Sequence, residues 1–149
     1  GGEKAGKTKK IKKYEEAMEN MVEYPRSSEF VTIDYHGFSH NYMYEYINGN
    51  KAVKSEAYKK WIKNFPSDQL PDAEDWEVDW DKPVELFINY ICVEKFDSFN
   101  MDKSIIDQVI TREYGYDDNI IEVVHSQKVG TVNTYDNGKI SIYIRNCQG

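Results

Sequence analysis

Sulfur and histidine are scarce in this chain, and long apolar runs are missing altogether. Two cysteines occur in 149 residues, Cys92 in a strand-like run and Cys147 near the end. Two are too few for a disulfide framework, so reduced thiols in a cytoplasm are the expectation. No apolar segment approaches the roughly 20 residues that span a bilayer, and no secretory pattern opens the chain; no membrane partner is expected. The chain begins Gly-Gly without Met, as a trimmed chain does, so an upstream segment is expected. His36 and His40 stand four apart with no Cys or third His nearby, which leaves a zinc site unsupported. There is no internal repeat and no low-complexity tract.

Charge is plentiful but uneven. Net charge is −7, although residues 1–13 carry six Lys and one Glu. A basic arm attracts nucleic acid and an acidic body repels it, so the average decides little. Residues 1–8, GGEKAGKT, satisfy the phosphate-loop pattern. That loop needs a buried strand before it and a helix after it, and the given sequence begins at the first Gly; coincidence is the expectation.

The pattern of apolar residues divides the rest. From about Lys9 to Val22 the residues favour helix, with Ile11, Tyr14, Met18 and Met21 on a narrow seam that either docks on its own domain or self-associates. Pro25 and Ser27-Ser28 break it. A strand is expected over Phe30–Tyr35, then a loop of aromatic and amide side chains suited to lying against a ligand. A hairpin is expected about Asn48-Gly49, and a helix from the Ser55 cap to Phe65. Residues 67–81 hold seven acids without the spacing or glycine of a calcium loop, and read as a solvated loop. Further strands are expected over Val84–Val93, Ile120–Val129 and Lys139–Arg145, the last after a turn at Tyr135-Asp136-Asn137-Gly138. Between the first two of these lies a helix from an Asn100 cap to about Arg112, leaving through Gly115.

The chemistry concentrates between Asp97 and Asp118. Asp97 follows a strand, Asp107 lies on the following helix, and Asp117-Asp118 precedes the next strand. Carboxylates from three elements can hold Mg²⁺, which takes one or two of them, keeps several waters and leaves room for phosphate oxygens. Asn100, Lys103 and Asp107 fall within about 60° of one another around the helix. Lys103 is then placed to neutralise charge as a phosphodiester is attacked. The plainer alternative is an ordinary i,i+4 pair of Lys103 with Asp107 and a turn at Asp117-Asp118.

The run D-S-F-N-M-D-K-S-I-I-D, followed nine residues later by D-D, resembles the core of the RusA-like Holliday junction endonucleases, small dimeric resolvases of bacteria and their phages. Their pattern is D-x-D-N-x-x-K-x-x-x-D, then a glycine and an acidic pair, and the likeness extends over roughly residues 30–145. It implies an α+β fold, a mixed sheet with helices packed mainly on one face, with a basic helical arm over 1–28 and a nuclease domain over 29–149. It also implies Mg²⁺- or Mn²⁺-dependent cutting of four-way DNA junctions in recombination and repair, by a homodimer in a bacterial or phage-infected cytoplasm. Position by position, Asp97, Lys103 and Asp118 would be catalytic, and Asp97, Asp107, Asp117 and Asp118 would surround the metal. Asn41, Lys51, Lys54, Phe99 and Asn100 would touch DNA. One position departs: Phe99 stands where the family has its second acid. Either fewer ligands suffice, with Asp107 or Asp102 moving in, or the protein holds branched DNA or a protein partner without cutting. Asp102 is otherwise expected to steady the helix N-terminus through the dipole. Phe99 itself is suited to stacking on unpaired bases.

Overall fold

The computed structural model describes residues 8–19 and 23–148. In chain order the elements are α1 (Lys9–Glu19), β1 (Val31–Ile33), β2 (Tyr44–Ile47), β3 (Lys51–Lys54), α2 (Glu56–Lys63), β4 (Val84–Val93), α3 (Ser98–Ile105), β5 (Ile121–Val132) and β6 (Lys139–Asn146). α3 runs on without a break into a wider π-type helix, Ile106–Glu113. The fold is α+β, as expected. Four strands form a mixed sheet in the order β1-β6-β4-β5, and β2-β3 is a separate hairpin. All but Thr8 of the phosphate-loop pattern, the Met18 side chain and Met21 lie outside the described residues. Ile11 and Tyr14, from the same expected seam, are exposed.

β4 positions everything else. Its residues are β-branched or aromatic at most places and are buried at seven of ten positions, because it runs inside the sheet with both faces covered. Leu86, Ile88, Tyr90 and Cys92 meet the side chains of α2, α3 and its π-type extension, including Tyr58, Trp61, Met101, Ile105 and Val109, in one core. On the other face Phe87 packs against Tyr24, His125 and Tyr143. β4 pairs antiparallel with β6 and parallel with β5, in a register that sets Val84 beside Ile121 and Val93 beside Val132. A parallel neighbour needs a crossover, and α3 with its π-type extension supplies it.

Local details depart from expectation in instructive ways. Asp97, not Asn100, is the N-cap of α3: Ser98 and Phe99 already have helical geometry, and Asp and Asn compete almost equally for that place. Asp102 is not a dipole partner at the helix start. It lies beneath the helix, where it accepts hydrogen bonds from Tyr90 Oη (2.8 Å) and Ser126 Oγ (2.7 Å) and ties α3 to β4 and β5. Burial raises the Asp102 carboxyl above its ordinary range, and the two hydrogen bonds oppose the rise. The hairpin forms where Asn48-Gly49 places it, both residues having positive φ (52° and 80°), but the register gives it a three-residue loop. α2 stops two residues short of Phe65, capped at its start by Ser55 Oγ accepting from the Tyr58 amide (3.1 Å). Gly115, with φ of 78°, ends the long helix as expected. The acidic loop is better anchored than a solvated loop need be. Trp76 Nε1 donates to Tyr114 Oη (2.8 Å), and Trp80 stacks on Tyr116 at 4.6 Å.

Candidate functional site

Four residues, 94–97, separate the carboxyl end of β4 from α3, which sets Asp97 at that edge of the sheet. Carboxyl ends of parallel strands are where open α/β sheets bind ligands. The Asp97 side chain is exposed and caps nothing. Around it the 3-10 turn His40–Tyr42 closes a recess of about 350 Å³, in which Asn41 and Asn100 stand beside Asp97 with Lys95 on the rim. Two contacts fix this turn. Ser39 Oγ accepts from the Asn41 amide (3.3 Å), and His40 Nδ1 lies 3.2 Å from the Asn100 carbonyl, to which it donates. Three residues expected at the site, Asn41, Asp97 and Asn100, therefore do meet. Phe99 projects beside them, 76% exposed.

Lys103 lies one turn further along α3, its Nζ 3.3 Å from Asp107 Oδ2. Partial burial alone would lower the Lys103 ammonium; the charge and hydrogen bond of Asp107, with Tyr44 and Tyr58 adding to them, leave it above its ordinary value. Lys103 is thus cationic and held near the foot of the β2–β3 hairpin. That hairpin carries Lys51 and Lys54 exposed beside Tyr44 and Tyr46, a set of cations and rings facing solvent.

The remaining acids are elsewhere. Asp107 is ten residues along the helix from Asp97, about 15 Å at 1.5 Å per residue. Asp117 and Asp118 precede β5, at the end of the sheet where Ile121 pairs with Val84. Asp97 follows β4 at the end where Val93 pairs with Val132. Nine residues of strand lie between those ends, roughly 30 Å at about 3.3 Å each. The expected convergence of Asp97, Asp107, Asp117 and Asp118 does not occur in the chain, because a parallel crossover carries it to the far end of the sheet before the acidic pair is reached. Accordingly, among the described residues no three His, Cys, Asp or Glu side chains are grouped to hold a metal. Asp117 Oδ1 accepts from the Asn119 amide (2.9 Å) and closes the turn into β5, while Asp118 is exposed.

A larger feature escaped the sequence reading. A cleft of about 850 Å³ opens at the carboxyl ends of β4 and β5, and it shares Ser39, Tyr42, Lys95 and Phe96 with the Asp97 recess. Phe38, Tyr42, Phe96 and Tyr135 line it together with Thr131 and Asn133. Its walls are braced by Tyr135, whose hydroxyl donates to the Gly37 carbonyl (2.6 Å) and whose ring meets Phe96 edge-on at 5.5 Å. His36 packs on the same Tyr135 ring at 3.9 Å, and burial holds its imidazole below the ordinary value. The run of aromatic and amide residues after β1 was the available signal; Phe96 and Tyr135 join it only through the fold.

Compared with known proteins, the chain matches no family model, and no curated protein matches it.

Proposed function

We propose that the chain is a Mg²⁺- or Mn²⁺-dependent, structure-selective DNA endonuclease of the RusA-like kind, acting on four-way junctions as a homodimer whose two sites are each shared between copies. The observation that carries this reading is the edge position of β5. Among the described residues, strand order leaves its outer side without a partner strand, and Val123, Val124 and Val129 are exposed along it. An unpaired edge of this kind is a template for another strand. Register shifts at Glu122 and Val129 leave residues 123–128 between them in regular pairing with β4.

In antiparallel pairing of two β5 edges, the start of one strand lies beside the end of the other. The Asp118 end of one copy then sits about two strand spacings, roughly 10 Å, from the β4 end that carries Asp97 in the other copy. This replaces a separation of roughly 30 Å within one chain. Both carboxylates suit a hard cation: each is exposed, and neither is engaged by a side chain or backbone amide among the described residues. Asp97 and Asp118 would hold the ion, with Asp117 keeping the turn that presents Asp118. Such an ion supplies charge neutralisation at phosphate and an acidified water. The chain's own residues supply the rest. Lys103 offers its ammonium to the developing negative charge, Asn41 and Asn100 orient the phosphate beside Asp97, and Lys51 and Lys54 hold the backbone further out.

A second reading, a junction-binding protein that does not cut, is favoured by one observation. Phe99 presents an exposed ring where the resemblance has a carboxylate, and Asp107 is already paired with Lys103. Nicking of a synthetic junction in Mg²⁺ or Mn²⁺, by the wild type and by Phe99→Asp, separates the two. Nicking by the wild type that is lost in Asp97→Asn supports the enzyme. Nicking gained only in Phe99→Asp supports the binder, and no junction binding by either protein refutes both.

A further inference from the structure

The aromatic cleft opens beside the Asp97 recess and has no part in holding the ion. Its volume of about 850 Å³ falls in the range of small-molecule sites, roughly 300–1,000 Å³. We infer that it receives an unpaired nucleobase of the DNA, drawn out of the stack at the branch point. This rests on the nuclease reading and adds to it the part of the substrate that is recognised.

Continuity carries the inference. Tyr42, Phe96, Lys95 and Ser39 belong to both the cleft and the Asp97 recess. A nucleotide whose phosphate lies at Asp97 therefore has its base beside the adjoining cleft. Tyr42 is 65% exposed at the end of the turn at residues 40–42, so its ring is open to solvent at the cleft. Such a surface stacks on any base, because every base has a π-face. Asn133 and Thr131 bring an amide and a hydroxyl to the same cleft for the base edge, and the Lys95 ammonium, 5.6 Å over the Phe96 ring, stands at the recess side where phosphate would enter. A fully paired duplex cannot fill the cleft; a branch point, where pairing is interrupted, can.

The test uses the full chain and two fluorescent four-way junctions, with Ca²⁺ in place of Mg²⁺ to leave the DNA uncut. One junction carries normal bases at the branch point, and the other carries abasic residues there. The expected result is about ten-fold tighter binding of the normal junction, the range of one base–aromatic stack. In Tyr42→Ala that ratio falls to about one, and in Tyr42→Phe it is kept. A 2-aminopurine at the branch point should change its fluorescence on binding to the wild type and not on binding to Tyr42→Ala. Equal affinity for both junctions, or a ratio that survives Tyr42→Ala, overturns the inference while leaving the nuclease reading intact. Failure to bind either junction overturns both.

Discussion

Replacing Asp102 with Ala tests how α3, and with it Asp97, is held in place. The carboxylate accepts from Tyr90 Oη and Ser126 Oγ. Tyr90 is fully buried, so its hydroxyl has no water to turn to, whereas Ser126 is only partly buried and can rehydrate. An orphaned buried donor costs about 1–3 kcal/mol. Against this stands relief of the carboxylate's own desolvation, which raises its pKa in the folded protein. The expected net loss is about 2 kcal/mol, or a melting temperature lower by about 4–8 °C for a chain of this size. Urea unfolding at neutral pH measures it. A double-mutant cycle with Tyr90→Phe isolates the hydrogen bond, since the Phe background has no donor left to orphan; a coupling of about 1–2 kcal/mol is expected. A loss below about 0.5 kcal/mol, or a strictly additive cycle, would refute the claim that this bond fastens the helix to the sheet.

Two further outcomes follow from the same geometry. Because burial makes folded Asp102 hold its proton more tightly than the unfolded chain does, its contribution is most favourable in acid and is lost as pH rises through the folded value. The stability of the wild type relative to Asp102→Asn should therefore fall as pH rises from the ordinary carboxylate range through the folded value in denaturation experiments; a rise would contradict the assignment. Val124→Lys places a charge on the β5 edge at a half-exposed position, and should cost about 1 kcal/mol in folding while shifting sedimentation to the monomer. An unchanged dimer would show that the copies associate through another surface.

Much of this arrangement is legible in the amino-acid order. The β-branched run Val84–Val93, the Asn48-Gly49 hairpin, the Ser55 cap and the Gly115 exit all act locally, and each stands close to where it is expected. The face Asp102 occupies was legible, since it stands three, four and seven residues before Ile105, Ile106 and Val109; its partners Tyr90 and Ser126 were not, because they come from two strands that only the fold brings beneath the helix. The distance between Asp97 and Asp118 was legible and went unread. A strand, a helix of some 16 residues and a second strand imply a parallel crossover, and a helix of that length spans about 24 Å. Residues at its two ends belong at opposite ends of the sheet. Residues brought together only by topology, such as Phe38, Phe96 and Tyr135 around the cleft, leave no spacing pattern to find.

The shared site is tested most directly by mixing two inactive variants. Asp97→Asn and Asp118→Asn are each expected to lose junction nicking, since either change spoils both sites of a homodimer. Subunit exchange between them yields a heterodimer with one site carrying both substitutions and one carrying none, so the mixture should regain nicking in Mg²⁺, up to about a quarter of the wild-type sites at equal mixing by simple counting. If each site were built within a single chain, every site in the mixture would keep one defect. A mixture that forms heterodimers and stays inactive would contradict the shared site.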